Sequence, residues 1–155
     1  MAEPRPDNSP GDSERSAYEA AGGLPAGVSA EAIELANQLF DYARENEAEM
    51  LAAYLDAGAP VNMQDAQGNT MLILAAYHFA TETVAMLIEH GADLDVANDR
   101  GQNALTCAVF KQDIASCREL LEAGADPDAG QPSPRATAKM FSWPAFDELL
   151  AEISS

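Results

Sequence analysis

Gly58, Gly91 and Gly124 stand 33 residues apart, and each opens a version of one phrase: Gly58-Ala59-Pro60-Val61-Asn62, Gly91-Ala92-Asp93-Leu94-Asp95 and Gly124-Ala125-Asp126-Pro127-Asp128. Gly68 and Gly101 keep the same spacing, as do Asp65/Asn98, Leu72/Leu105, Ala75/Ala108 and the column Tyr54, Leu87, Leu120. A fixed period of this length marks a stack of short supersecondary units, each unable to bury its apolar face alone. Such stacks present extended surfaces to partners, and chemistry on them is rare.

Each unit reads as a helix–turn–helix followed by an extended excursion. Ser29 fits an N-cap, with Glu31 facing the helix dipole. Ile33, Leu35, Ala36, Leu39, Phe40 and Ala43 then recur at helical spacing. Asn46 suits the left-handed residue that ends a helix, and Met50, Leu51, Tyr54 and Leu55 carry a second helix to Gly58. Thr70–Phe79 with Glu82–Glu89, and Asn103–Lys111 with Ile114–Glu122, repeat the pattern. A shift of 62 lays Ala76, Phe79, Val84, Leu87 and Ile88 on Ala138, Phe141, Phe146, Leu149 and Leu150. Residues 131–153 therefore read as a shortened last unit, with Pro144 in the first turn of its second helix. The expected fold is an all-α solenoid of about four units, at about 32–64, 65–97, 98–130 and 131–153.

Residues 65–97 resemble the ankyrin repeat. They run Asp65-Ala-Gln-Gly68-Asn-Thr70-Met-Leu72-Ile-Leu74-Ala75-Ala76, then Val84-Ala-Met-Leu87-Ile88-Glu-His-Gly91-Ala92-Asp93. The family's Thr-Pro-Leu-His motif stands as Thr70-Met71-Leu72-Ile73 and Asn103-Ala104-Leu105-Thr106, with its proline and histidine replaced. The glycine that usually ends the first helix is replaced by Asn46, Phe79 and Gln112. The resemblance implies an ankyrin solenoid. In overall shape the chain is similar to small stand-alone bacterial members of the family.

Composition bounds the partners. Net charge is −18, from 26 acids against 8 bases. That field repels phosphate backbones and anionic membranes, so no nucleic-acid or membrane role is expected. Residues 1–27 are rich in Pro, Gly, Ser, Ala and Glu without apolar periodicity, and read as a disordered tail ahead of a repeat domain at 28–155. No apolar signal stretch is visible, and the expectation is a cytoplasmic monomer. Cys107 and Cys117 replace the core aliphatics Leu74 and Val84, so both are expected buried and reduced.

No catalytic constellation, metal-ligand spacing or phosphate loop is present in the sequence, so neither an enzyme nor a cofactor is expected. His90 reads as a helix C-terminal histidine favoured by the dipole. The family resemblance points instead to the excursion tips and the concave side of the first helices. The tip positions are Gln64, Ala66, Gln67 and Asn69, then Ala97, Asp99, Arg100 and Gln102. The concave columns are Arg44/Glu45, Tyr77/His78, Phe110/Lys111 and Lys139/Met140. Four of the eight bases, Arg44, Arg100, Lys111 and Lys139, fall on this set, beside Tyr77, Phe110 and Met140. Exposed aromatics with cations are the usual chemistry of binding hot spots. The bland alternative is that Tyr77 and Phe110 fold over neighbouring repeats as packing. The expected function is therefore non-catalytic protein binding. An acidic inhibitor or immunity-type protein covering a basic site, or a stabiliser of a partner enzyme, stands as the alternative.

Overall fold

The computed structural model describes residues 29–154; the tail expected at 1–27 lies outside them. Eight helices occur among the described residues: α1 (Ala30–Arg44), α2 (Ala48–Asp56), α3 (Met71–Tyr77), α4 (Thr81–Glu89), α5 (Ala104–Phe110), α6 (Ile114–Glu122), α7 (Pro134–Met140) and α8 (Pro144–Ser154). They form four antiparallel pairs. The first helices α1, α3, α5 and α7 pack side by side in one row, and α2, α4, α6 and α8 in a second. None of these helices is long and apolar enough to cross a membrane.

Small side chains explain the first row. Met71–Ala76 of α3 and Ala104–Val109 of α5 are buried without a break. Ala75, Ala76 and Ala108 let these seven-residue helices approach closely, while Leu72, Leu74 and Leu105 fill the space between rows. The second row is amphipathic. Val84 and Leu87 of α4, and Cys117 and Leu120 of α6, point inward, with Glu82, Glu89, Glu119 and Glu122 outward.

Caps fix the ends of the first helices. Ser29, Thr70, Asn103 and Ser133 each accept the backbone N–H three residues on. After the helix, Asn46, Phe79, Gln112 and Ser142 take φ of 62°, 61°, 57° and 49°. The left-handed residue that ends each first helix is thus retained without glycine. A bulky residue such as Phe79 is strained in this conformation.

These caps correct the register of the last unit. Ser133 stands where Thr70 does, and Ser142 where Phe79 does, so the offset in the first helix is 63. In α8 the buried pair Phe146/Leu149 still matches Val84/Leu87 at 62. The difference is taken up in the first turn of α8. Val84 and Cys117 donate to the carbonyls four residues back, whereas Phe146 donates to Trp143, three back, at 3.3 Å. One tightened turn shifts the helix face by a residue.

Polar ties join neighbouring units. Asn46 accepts from the Thr83 N–H (3.1 Å) and hydroxyl (2.8 Å). One pair later, Asp113 accepts from the hydroxyls of Thr81 (3.1 Å) and Ser116 (2.8 Å). Asn62 accepts from the Asp93 N–H at 2.8 Å, and Asp95 from that of Asp126 at 3.1 Å. Apart from the Ser116 bond within α6, each satisfies a group at the seam between stacked units, where leaving it unmade would cost more than making it gains.

Candidate functional site

The sequence places a polar turn at each excursion tip, and the structure builds it on one side chain. Asp65 Oδ1 accepts the N–H groups of Gln67 and Asn69, both at 2.9 Å. Asn98 Oδ1 does the same for Arg100 (2.9 Å) and Gln102 (3.0 Å). Gly68 closes the first tip at φ 81°, and a Cβ there would lie 2.8 Å from Asp99 Oδ1. The tips also bond to each other: Asn98 Nδ2 donates to Asn69 Oδ1 at 2.8 Å, and the Asp99 N–H to the Gln67 carbonyl at 3.0 Å. Between them is a cleft of about 90 Å³ lined by Gln67, Asn69, Asn98, Asp99, Arg100 and Gln102.

This geometry divides the tip candidates. Asn69 is 1% exposed and committed to the seam between tips, so it is a structural residue and not a contact. Gln102 is half-buried and accepts from Asn98 Nδ2 through Oε1. Gln67 is half-buried as well, and Gln64 spends its amide on the Gly68 carbonyl at 2.8 Å. Arg100 remains exposed.

The C-terminal ends of the first helices carry the larger feature. The Tyr77 and Phe110 rings stack with centroids 6.4 Å apart and planes 9° from parallel. Phe141 meets Phe110 edge-on at 5.4 Å, and His78 meets Tyr77 edge-on at 5.2 Å. Lys111 Nζ lies 4.7 Å from the Tyr77 ring centroid and 5.6 Å from that of Phe79. Three units thus share one aromatic ladder with an ammonium over it. Contact within the ladder leaves much of it open: Phe79 is 55% exposed, Phe110 48% and Met140 66%. Packing and exposure coexist, so the two sequence readings of Tyr77 and Phe110 are not exclusive.

In the last unit Met140 ends α7, as Tyr77 ends α3, and Phe141 stands at the His78 position. The expected columns Lys139/Met140 are therefore Met140/Phe141, with Lys139 one residue earlier and exposed. Arg44 ends α1 but is paired with Asp41 and mostly buried. Phe79 and Phe141 were absent from the sequence candidates. Phe79 was visible as a glycine replacement, and an aromatic at a left-handed position was the signal that could have found it.

Remaining expectations fall into place around the ladder. Cys107 and Cys117 are buried, unpaired thiols, and burial pushes Cys107 up to about 12 and Cys117 up likewise. His90 caps α4: Nδ1 lies 2.9 Å from the Met86 carbonyl and Nε2 3.0 Å from Asp56 Oδ1. Both contacts raise its pKa, the Met86 carbonyl most. Among the described residues no cluster of His, Cys, Asp and Glu has the makings of a metal site.

Comparison with known proteins agrees with the architecture. A Pseudomonas aeruginosa protein named as an ankyrin repeat protein is 39% identical over 54 residues, which is 35% of this chain and 32% of that protein. This chain therefore spans about a third of that relative's length. A family model described as ankyrin repeats (3 copies) matches residues 39–131, more than half of the chain. Repeats of this family are generally protein–protein interaction modules. With the four helix pairs, the capped first helices and the glycine period, that match establishes that the chain belongs to the ankyrin repeat family.

Proposed function

We propose that this protein is a non-catalytic binding module that grips a partner protein along its concave face. Tyr77, Phe79, Phe110, Met140 and Phe141 are the apolar anchors, with Lys111, Lys139 and Arg100 as the cations. The observation that carries the reading is the ladder itself. Phe110 and Phe141 are exposed and meet edge-on, and the exposed Phe79 shares the Lys111 ammonium with Tyr77, in a chain rich in acids. A contiguous apolar patch on a soluble domain marks an interaction site. The interaction belongs in the cytoplasm, where both thiols stay reduced.

The test is affinity capture of the partner by the whole chain, followed by titration with variants. Phe110→Ala is expected to weaken binding by about 1–3 kcal/mol, as hot-spot truncations do. Unchanged affinity would remove the ladder from the interface.

The acidic second row favours a second reading. Glu82, Glu89, Glu119, Glu122 and Glu148 are all exposed there and could cover a basic site on an enzyme or toxin. Binding in that mode collapses with added salt, whereas anchor-driven binding persists. Stabilisation of a partner enzyme is compatible with either surface, and is distinguished by the partner's lifetime with and without this protein.

A further inference from the structure

Three of the six described bases are ion-paired: Arg118 lies 3.0 Å from Glu152 and 3.6 Å from Glu122, Arg135 lies 2.8 Å from Asp128, and Arg44 is paired with Asp41. Arg100, Lys111 and Lys139 are the others. Among the described residues none of the three has an ion pair. Lys111 ends α5 at the ladder, Arg100 lies on the second excursion tip, and Lys139 lies in the last unit beside Ser142, Trp143 and Asp147. Lys111 is held over two aromatic rings. Asp113, the acid nearest Lys111 in sequence, is spent on the hydroxyls of Thr81 and Ser116.

We propose that this face receives a short acidic segment of a partner protein, with carboxylates meeting Lys111 and Arg100 and an aromatic or leucine side chain lying on the ladder. The inference rests on the binding reading above and adds the class of partner. An ammonium already seated on aromatic faces is held in place and poorly hydrated on one side, so a carboxylate gains a charge-assisted contact at low ordering cost. Phe79 supports the apolar half. It occupies a strained backbone position with its ring 55% exposed, a cost that its own burial does not offset. The acidic exterior limits the partner further. A protein acidic throughout is repelled at a distance, so the carboxylates belong to a short stretch of a partner that is otherwise neutral or basic. Two cations in a field of −18 make a poor track for a phosphate polymer.

The experiment uses the whole chain and labelled peptides read by fluorescence anisotropy. One short peptide alternates Glu with Phe and Leu; a second carries Gln for Glu, and a third Lys for Glu. A labelled oligothymidine is the nucleic-acid arm. The expected result is binding of the Glu peptide, weakened about tenfold by Gln in the peptide or by Lys111→Gln, with the two losses not adding. Phe110→Ala weakens it too, with far-UV circular dichroism unchanged. Equal binding of Glu and Gln peptides overturns the acidic class. So does preference for the Lys peptide or oligothymidine, or no binding by any peptide. If the preferred ligand still depends on Phe110, the face stands and only its partner class is wrong. Binding indifferent to Phe110→Ala overturns both.

Discussion

The rings of Tyr77 and Phe110 lie 6.4 Å apart and nearly parallel, one repeat period from each other in sequence. The ladder exists because the repeat stacks equivalent positions. Each ring is half of a packing contact and half of an open surface. Stability and binding should therefore separate at some rungs and not at others.

Phe79 is the rung where they separate most cleanly. Asn46 takes the same left-handed position at φ 62° in the first pair, and asparagine tolerates it. Phe79→Asn is expected to leave the melting temperature unchanged or raise it, with a stability change within about 1 kcal/mol. The same variant should lose affinity for the partner. A clear drop in melting temperature would show that Phe79 is a packing residue.

Core positions behave in the opposite way. Leu87 and Leu120 are fully buried one period apart, and truncating either to alanine is expected to cost about 2–5 kcal/mol. Glu82→Ala, on the exposed side of α4, should change stability by less than about 0.5 kcal/mol. Urea titration followed by the single tryptophan, Trp143, reports both. Comparable midpoints for Leu87→Ala and Glu82→Ala would contradict the arrangement of the rows.

The thiols of Cys107 and Cys117 are buried, and burial holds both in the protonated form. Labelling by a maleimide or disulfide reagent should be slow in the native state and rapid in urea, because only an accessible thiolate reacts. Fast native labelling would place one of them at the surface.

His90 makes stability pH-dependent in a defined direction. Its folded pKa is raised, first by the Nδ1 contact with the Met86 carbonyl and then by Asp56. A raised pKa means the folded state binds the proton more tightly. The contribution is fully present below the unfolded value of about 6.5 and is lost as pH rises through the folded value. His90→Gln should flatten the stability profile in that window. An unchanged slope between the two proteins would contradict the assignment.

Most of the architecture was legible because the repeat writes each position several times. Gly58, Gly91 and Gly124 do take positive φ, at 112°, 83° and 108°. Ser29 does cap α1, which starts about two turns earlier than the register of α3 would place it. The last unit was legible only in part. Its one-residue slip arises from a tightened turn at Phe146, which no spacing records. At the site, Tyr77, Phe110 and Lys111 followed from the period. Asn69 and Arg44 did not, because equivalent positions carry different side chains, and whether such a group reaches Asn98 or Asp41 depends on the packing of its own unit. The sequence marks Phe79 only as a replaced glycine, although what matters is where its ring goes once the backbone turns left-handed.

The affinity of the captured partner for Phe110→Ala, measured beside Glu82→Ala and with melting temperatures for both, tests the central claim most directly. The expected result is a loss of about ten- to a hundredfold for Phe110→Ala and none for Glu82→Ala, with Glu82→Ala melting close to the parent and Phe110→Ala still unfolding cooperatively. Undiminished affinity in Phe110→Ala, with a loss in Glu82→Ala, would move the interface from the aromatic ladder to the acidic second row.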